Sequence, residues 1–597
     1  MDTIVVIDFG GQYAHLIANR IRRLGVYSEI APPDASLESF KRYRGIILSG
    51  SPYSVLEQGS PLLDPAIVTL GIPILGLCYG HQLIARLLGG AVAKGNVREY
   101  GRAQLRIVKK SPLFAGLDPI EQVWMSHGDT VETPAPSFEI LASTDDCPAA
   151  AVGDISRHVY GLQFHPEVTD TPHGMKILDN FLIICKCARS WHPRTYVEAL
   201  IASIRRQCGN RKVFLLVSGG VDSSVAFALL TRAIGPERVM GLHIDNGLMR
   251  HNESADILEY LGKHGFDNLK IEDATGDFLA ALRGVVDPEE KRRVIGRMFI
   301  EVKDRVFAGL ALDPEEWLLA QGTIYPDTIE SAGTRHADRI KTHHNRVDAI
   351  LELIERGLII EPLAELYKDE VRELGEALGL PGRLVWRHPF PGPGLGVRVL
   401  CSDGAAVAPN VTTSAQVAAL ASAAGYQSAI LPVRSVGVQG DGRTYAHPAL
   451  LAGSGDWTTI EGLSTRITNA VRSVNRVVYS LSGDPSYPYR LIAATVTRER
   501  LAALRAVDHI VTEALFSSGE YDAVWQMPVV LLPLVNEQGG ECVVLRPVVS
   551  QEAMTARFVP LKRETLSAII EKAGAIKGIG DIFMDVTHKP PATIEWE

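Results

Sequence analysis

Short apolar runs, each followed by a helical repeat, organise the first two thirds of the chain. Thr3-Ile-Val-Val-Ile7, Ile46-Ile-Leu48 and Ile72-Pro-Ile-Leu-Gly-Leu77 are such runs. None shows the apolar–polar alternation of a half-exposed strand, so each reads as a parallel strand buried on both faces. Helical spacing from His15 to Leu24 separates the first run from the second. The pattern returns at Lys212-Val-Phe-Leu-Leu-Val217, Val239-Met-Gly-Leu-His-Ile244 and Trp317-Leu-Leu-Ala320. Strands alternating with helices predict an α/β protein: an N-terminal open α/β sheet, then a doubly wound parallel sheet, with chemistry at strand ends.

The last third changes character and repeats itself. Ile430-Leu-Pro-Val-Arg434 is echoed by Leu531-Leu-Pro-Leu-Val535, and the stretch 475–485 by 580–590. Each copy reads strand, strand, helix, strand, which predicts two related α+β modules. The expected domains are therefore 1–190, 191–395, 396–490 and 491–597. The boundary near 395 falls after His388-Pro-Phe-Pro-Gly-Pro-Gly394, where three prolines and two glycines leave no regular element.

Composition narrows the function classes. A chain of 597 residues has room for about four domains of ~150 residues. A formal charge of -9 leaves no basic footprint for nucleic acid or an anionic membrane, so neither is expected as a partner. Any phosphate must then be bound by local sites. Seven scattered cysteines predict no disulfide framework, and no run approaches ~18 apolar residues. The strand at Thr3 leaves no room for a leader, and a soluble, cytoplasmic protein fits best.

Two stretches carry candidate chemistry. In Gly76-Leu77-Cys78-Tyr79-Gly80-His81-Gln82, small residues flank a cysteine at a strand-to-helix turn, the setting of an exposed nucleophile. The helix start favours a thiolate, and the Tyr79 N–H would face a developing oxyanion. Gly161-Leu-Gln-Phe-His165-Pro-Glu167 supplies a base and a carboxylate to orient it, so Cys78, His165 and Glu167 form a candidate triad. The second stretch follows the strand at 212–217: Ser218, Gly219, Gly220, Val221, Asp222, Ser223 and Ser224. A glycine turn entering a helix gathers backbone N–H groups around an anion, and Asp222 beside it suggests Mg²⁺. Cys185-Lys-Cys187 with His192 lacks the spacing of a structural zinc site and reads as a domain end.

These motifs carry resemblances. Ser-Gly-Gly-x-Asp-Ser resembles the pyrophosphate-binding loop of the ATP pyrophosphatases, and the cysteine–histidine–glutamate set resembles the class I glutamine amidotransferases over 1–190. In order along the chain, with the 388–394 loop and the ending Lys589-Pro-Pro-Ala-Thr-Ile-Glu-Trp-Glu597, they resemble the glutamine-hydrolysing GMP synthetases. That resemblance implies a ligase with three small-molecule substrates: glutamine, Mg²⁺-bound ATP and xanthosine monophosphate. It implies that Gly50, Tyr79 and Gln82 serve the oxyanion and glutamine pocket, that Ser126-His127-Gly128-Asp129 lies nearby, and that Lys341 closes a lid over ATP. It further implies that Arg292, Asp441, Gln526, Lys589 and Glu595 hold xanthosine monophosphate. One departure is Gly50-Ser51-Pro52 where the family commonly has Gly-Gly-Pro. A positive φ at Ser51 would cost about 1 kcal/mol or more. Shorter relatives dimerise through one C-terminal module; two copies in one chain imply a monomer. The alternatives are another glutamine-dependent ATP pyrophosphatase amidotransferase, such as an NAD synthetase-like enzyme, or a non-catalytic nucleotide-binding scaffold.

Overall fold

The computed structural model describes residues 1–11, 13–263, 265–310, 316–332, 356–405, 410–439, 442–483, 486–550 and 555–597. The chain divides into two compact units. The first holds Met1–Ser203 with 323–332 and Leu363–Leu374; the second holds Ile204–Gly322, 356–362 and Gly375–Glu597.

The first unit is built on nine strands: β1 (Thr3–Ile7), β2 (Tyr27–Ala31), β3 (Gly45–Leu48), β4 (Ile74–Leu77), β5 (Ala91–Ile107), β6 (Ile120–Thr133), β7 (Glu139–Ser143), β8 (Ala151–Asp154) and β9 (Val159–Leu162). Their order is β2-β1-β3-β4-β9-β8-β7-β5-β6. The five strands from β2 to β9 are parallel, and the remaining four extend the sheet antiparallel. Ile4 and Val6 of β1 enter one core, Val5 and Ile7 the other, on the opposite face. Cover on both faces is why these strands read as unbroken apolar runs.

Helix α1 (Ala14–Arg23) carries the 323–332 and Leu363–Leu374 segments. Its Arg22, 1 % exposed, pairs with Glu370 at 2.9 Å. The guanidinium lies over the rings of Tyr27, Trp191, Tyr325 and Tyr367 at 4.4, 5.4, 5.0 and 5.0 Å. Trp191 Nε1 and the Tyr367 N–H donate to the same carboxylate at 2.7 and 2.8 Å. A buried charge is tolerated here because ion pair, hydrogen bonds and ring faces all meet it.

The second unit begins with a five-stranded parallel sheet: β10 (Lys212–Leu216), β11 (Val239–Asp245), β12 (Leu269–Asp273), β13 (Trp317–Ala320) and β14 (Ile359–Ile360), in the order β12-β11-β10-β13-β14. The chain enters at the central strand, β10, and winds first to one side and then to the other. Its C-terminal end is therefore the switch point where ligands sit in open α/β sheets.

The rest of the unit contains a seven-stranded sheet of β15 (Gln427–Ile430), β16 (Ala449–Ala452), β17 (Val477–Ser480), β18 (Arg490–Leu491), β19 (Val529–Val535), β20 (Glu541–Leu545) and β21 (Ile579–Asp585), ordered β15-β16-β17-β21-β20-β19-β18. In each half an outer strand pairs antiparallel with an inner one, and a helix returns the chain parallel to that inner strand. The halves meet where β17 and β21 pair antiparallel, with Tyr479 opposite Met584. A local two-fold thus relates them. They differ in where an extra hairpin enters: between outer and inner strands in the first (Ser435–Gln439 with Gly442–Ala446), after the inner strand in the second (Val548–Val549 with Arg557–Phe558).

Candidate active sites

In the first unit, β4 delivers Cys78 to the start of the helix Tyr79–Leu87. Cys78 has φ 51° and ψ -102°, a backbone region that non-glycine residues occupy only under strain of about 1–3 kcal/mol. The neighbouring glycines make that turn sterically feasible. A Cβ on Gly76 would lie 2.5 Å from Gly80, and one on Gly80 would lie 2.5 Å from the Leu48 carbonyl oxygen.

His165 and Glu167 are buried beside this turn, with Nδ1 of His165 2.7 Å from Oε1 of Glu167. Burial alone would push the imidazole down. The Glu167 carboxylate and a hydrogen bond with the Cys78 sulfur outweigh it and raise His165 to about 10. The structure thus brings together all three residues of the candidate triad. A Cβ on Gly50 would lie 3.5 Å from His165 Cε1 and 3.9 Å from Cys78 Cβ, so this loop borders both residues.

Ser51 is not strained. Among the described residues, the non-glycine positions at positive φ are Cys78, His158, Lys186 and Asn252, and the Ser51 hydroxyl donates to the Phe9 carbonyl at 2.9 Å. The penalty considered for serine at this position therefore does not arise. Gln82 is buried and donates to the Asp129 carbonyl at 2.8 Å and to Oε1 of Gln163 at 3.2 Å. Gln163 in turn donates to the Cys78 sulfur at 3.6 Å, and the Ser126 carbonyl lies 3.5 Å from it.

Sequence reasoning missed three groups here: Gln163, Tyr13, whose ring meets His165 edge-on at 5.2 Å, and Arg20, whose Nε donates to the Glu167 carbonyl at 3.0 Å. Gln163 was recoverable, since it stands only two residues before His165 in the stretch that follows β9. Tyr13 and Arg20 lie about 150 residues away in sequence, and no local signal connects them to the triad.

In the second unit, β10 runs into the 218–224 turn, and the helix Val221–Ile234 follows. Gly219 takes φ 79°, and a Cβ there would lie 2.3 Å from Ile257 Cδ1. The Gly220 N–H and the Ser223 hydroxyl both lie near Ser218 Oγ, at 3.2 and 3.1 Å. Asp222 stands in the first helical turn, and the buried Ser224 hydroxyl has no hydrogen-bond partner among the described residues. Gly322, after β13, abuts Ser223: its Cβ would lie 3.2 Å from the Ser223 nitrogen. The donors here are a carboxylate and hydroxyls, and among the described residues no three His, Cys, Asp or Glu converge. That set suits Mg²⁺ that arrives with polyphosphate oxygens and keeps its waters.

Four of the five residues expected to bind the acceptor, Arg292, Gln526, Lys589 and Glu595, lie in or against the 589–597 tail. Arg292, on the helix Pro288–Leu310, bonds Glu289 at 2.8 Å and the Glu597 main-chain oxygen. Glu595 is held by Arg398 at 2.9 and 3.2 Å and by Gln526 at 3.2 Å. Lys589 pairs through its backbone with Ala556. Asp441 and Lys341 lie outside the described residues. The tail rests on three buried arginines absent from the sequence reading: Arg398, Arg476 and Arg546. Arg476 and Arg546 share Asp585, at 2.7 and 2.8 Å, and donate to the carbonyls of Glu595 and Ile594. Trp596 packs on one sheet face with Val478, Val544 and Phe583.

Known proteins resemble the chain along its whole length. The family model for glutamine amidotransferase class-I matches residues 5–185, and that for NAD synthase matches 195–289. The GMP synthase C terminal domain matches 416–488 and 513–596, one segment in each half of the seven-stranded sheet. A probable glutamine-hydrolysing GMP synthase of Leptospira interrogans is 44% identical over 100% of this chain and 99% of its own. The GMP synthase of Thermobifida fusca is 42% identical over 100% and 98%, and that of Heliobacterium modesticaldum 45% over 81% and 98%. With identity at this level over the full length of the chain, it belongs to the glutamine-hydrolysing GMP synthase family.

Proposed function

We propose that this chain makes GMP from xanthosine monophosphate, ATP and glutamine, with the work divided between its two units. The observation that carries the reading is a complete cysteine–histidine–glutamate triad in the same chain as a phosphate turn at the switch point of a parallel sheet. Cys78 attacks the side-chain amide of glutamine, and the His165 imidazolium gives its proton to the departing ammonia. Water, deprotonated by His165, then releases glutamate from the thioester. The N–H groups of Gly50 and Tyr79 are the oxyanion donors we favour, because Gly50 borders both Cys78 and His165. Gln82 acts through Gln163 on the cysteine rather than on glutamine directly.

In the second unit the N–H groups of 218–224 cradle the ATP phosphates, with Ser218, Ser223 and Ser224 as further donors. Asp222 would hold Mg²⁺, which when bound neutralises charge on the polyphosphate. The C2 oxygen of the xanthine attacks the α-phosphorus, pyrophosphate leaves, and the C2 oxygen now departs readily as AMP. Ammonia attacks C2, AMP leaves, and GMP remains. Arg292 and Lys589 suit the acceptor phosphate, while Gln526 and Glu595, with Asp441, suit ribose and base. We assign the glutaminase to 1–190, the ATP pyrophosphatase to 191–395 and the acceptor modules to 396–490 and 491–597. The match to NAD synthase stops at 289, and the C-terminal match favours a xanthine nucleotide acceptor.

The protein is proposed to be a monomer in the cytoplasm, because the antiparallel β17–β21 junction already joins two modules within one chain. Among the described residues no helix is long and apolar enough to cross a membrane. The deciding assay follows GMP and AMP from xanthosine monophosphate and ATP with either nitrogen donor. Cys78→Ala is expected to abolish glutamine use and spare ammonia use. Absence of GMP with both donors in the wild type overturns the function, and equal loss with both donors in the variant overturns the division of labour. Light scattering that finds an obligate dimer rejects the monomer.

A further inference from the structure

Lys291 takes no part in the reaction described above, yet its side chain is 0 % exposed. Its ammonium has three donors and three partners: the carbonyls of Gly396 at 3.1 Å and Val399 at 2.9 Å, and the carboxylate of Glu597. These partners come from separate parts of the second unit. Gly396 and Val399 follow the proline-rich 388–394 loop, Glu597 belongs to the tail, and Lys291 stands in the first turn of the helix Pro288–Leu310. One side chain therefore pins three segments at a single point.

The groups proposed to meet the acceptor flank that point. Arg292 is the next residue and bonds the main-chain oxygen of Glu597. Glu595, two residues back along the tail, is drawn instead to Arg398 and Gln526. Trp596 lies between them, buried, with Nε1 3.1 Å from Asp585 and the Arg476 guanidinium 4.9 Å from its ring. The two acids of the tail are thus pulled to different anchors, and the Lys291–Glu597 pair is the anchor on the Arg292 side.

We propose that Lys291 and Glu597 form a positioning pair for the acceptor nucleotide: without touching it, they hold the tail against the helix so that Arg292 and Glu595 keep the separation the nucleotide requires. This rests on the reading of Arg292 and Glu595 as acceptor contacts. A buried ammonium stripped of its counterion is strongly unfavourable, so loss of either partner moves the other. Arg398, Arg476 and Arg546 still hold the remainder of the tail, so the disturbance stays local to the Arg292 side. It is felt as weaker capture of the acceptor more than as slower chemistry once the acceptor is bound.

The test is steady-state kinetics on the full chain with ammonia as nitrogen donor, comparing Glu597→Gln, Lys291→Met and the double variant. The KM for xanthosine monophosphate is expected to rise about tenfold or more in each single variant, the scale of a reacting group displaced by a fraction of an ångström. The KM for ATP and glutamine hydrolysis at Cys78 should stay within about twofold. The double variant should be no worse than Lys291→Met, because paired groups lose the same interaction only once. Lys291→Met leaves a buried carboxylate without its paired ammonium and endangers folding; Glu597→Gln keeps the shape and an acceptor oxygen, so it decides the question by itself. A structural role alone would lower the Tm and the yield of Glu597→Gln while leaving its acceptor KM within about twofold of wild type, and that result overturns the proposal. Failure of the wild-type enzyme to form GMP overturns the underlying functional reading instead.

Discussion

Replacing Glu167 by Gln removes one negative charge beside His165 and disturbs little else. Both side chains are buried, with Oε1 of Glu167 2.7 Å from Nδ1 of His165. The main-chain oxygen of Glu167, to which Arg20 donates at 3.0 Å, is untouched by the substitution. Burial pushes the imidazole down, but the carboxylate, helped by the Cys78 sulfur, outweighs it, and the net result lifts His165 from 6.5 to about 10. At 1.36 kcal/mol for each tenfold change, that separation is on the order of 5 kcal/mol in favour of the imidazolium. An amide supplies no such charge and can present its NH₂ to the ring in place of its oxygen. Glutamine-dependent GMP formation is expected to fall by about 10³-fold, within the range of a disabled general acid–base. Ammonia-dependent formation should stay within about twofold of wild type, since it bypasses the triad.

The same substitution has a pH signature. His165 has a folded-state pKa above its unfolded value, so its protonation stabilises the folded chain fully below 6.5 and ceases to do so as pH rises through about 10. The urea midpoint of wild type relative to Glu167→Gln should therefore be highest below about pH 6.5 and converge toward the variant's by about pH 10. A glutamine-dependent rate within about tenfold of wild type, or a midpoint difference that does not shrink as pH rises, would refute the reasoning.

Three further substitutions probe other parts of the argument. Gly219→Ala sets a Cβ at φ 79° against Ile257 and should cost about 1–3 kcal/mol of local strain. AMP formation should drop with either nitrogen donor while glutaminase activity persists, and unchanged AMP formation would exclude this turn from ATP binding. Asp585→Ala strands Arg476 and Arg546, and urea unfolding should show a loss of about 3–5 kcal/mol; a loss under about 1 kcal/mol would mean the arginines do not depend on it. Arg22→Met leaves Glu370 buried without its cation, and a similar loss is expected in the transition of the first unit, followed by Trp191 fluorescence. An unchanged transition would show that the four rings alone hold these segments.

The sequence by itself determined the fold class and the local motifs, because both are written in neighbouring residues. Unbroken apolar runs such as 4–7 and 213–217 specify strands covered on both faces, and alternation with helices specifies an α/β sheet. His165 and Glu167 are two residues apart, and the 218–224 turn is one contiguous stretch, so their chemistry could be read from spacing. The antiparallel extension from β8 to β6 follows a different pattern, with β6 alternating buried and more exposed positions along Ile120–Thr133 in place of an unbroken apolar run. Only the tertiary structure brought Tyr13 and Arg20 to the triad, tied Arg22 to Tyr325, Tyr367 and Glu370, and sank Lys291 beneath the tail. Those contacts join residues from 147 to 348 positions apart, and the energy of the ionic ones comes from desolvated charges finding partners. A lysine or arginine in a sequence looks like solvated surface until the fold shows what has been buried against it.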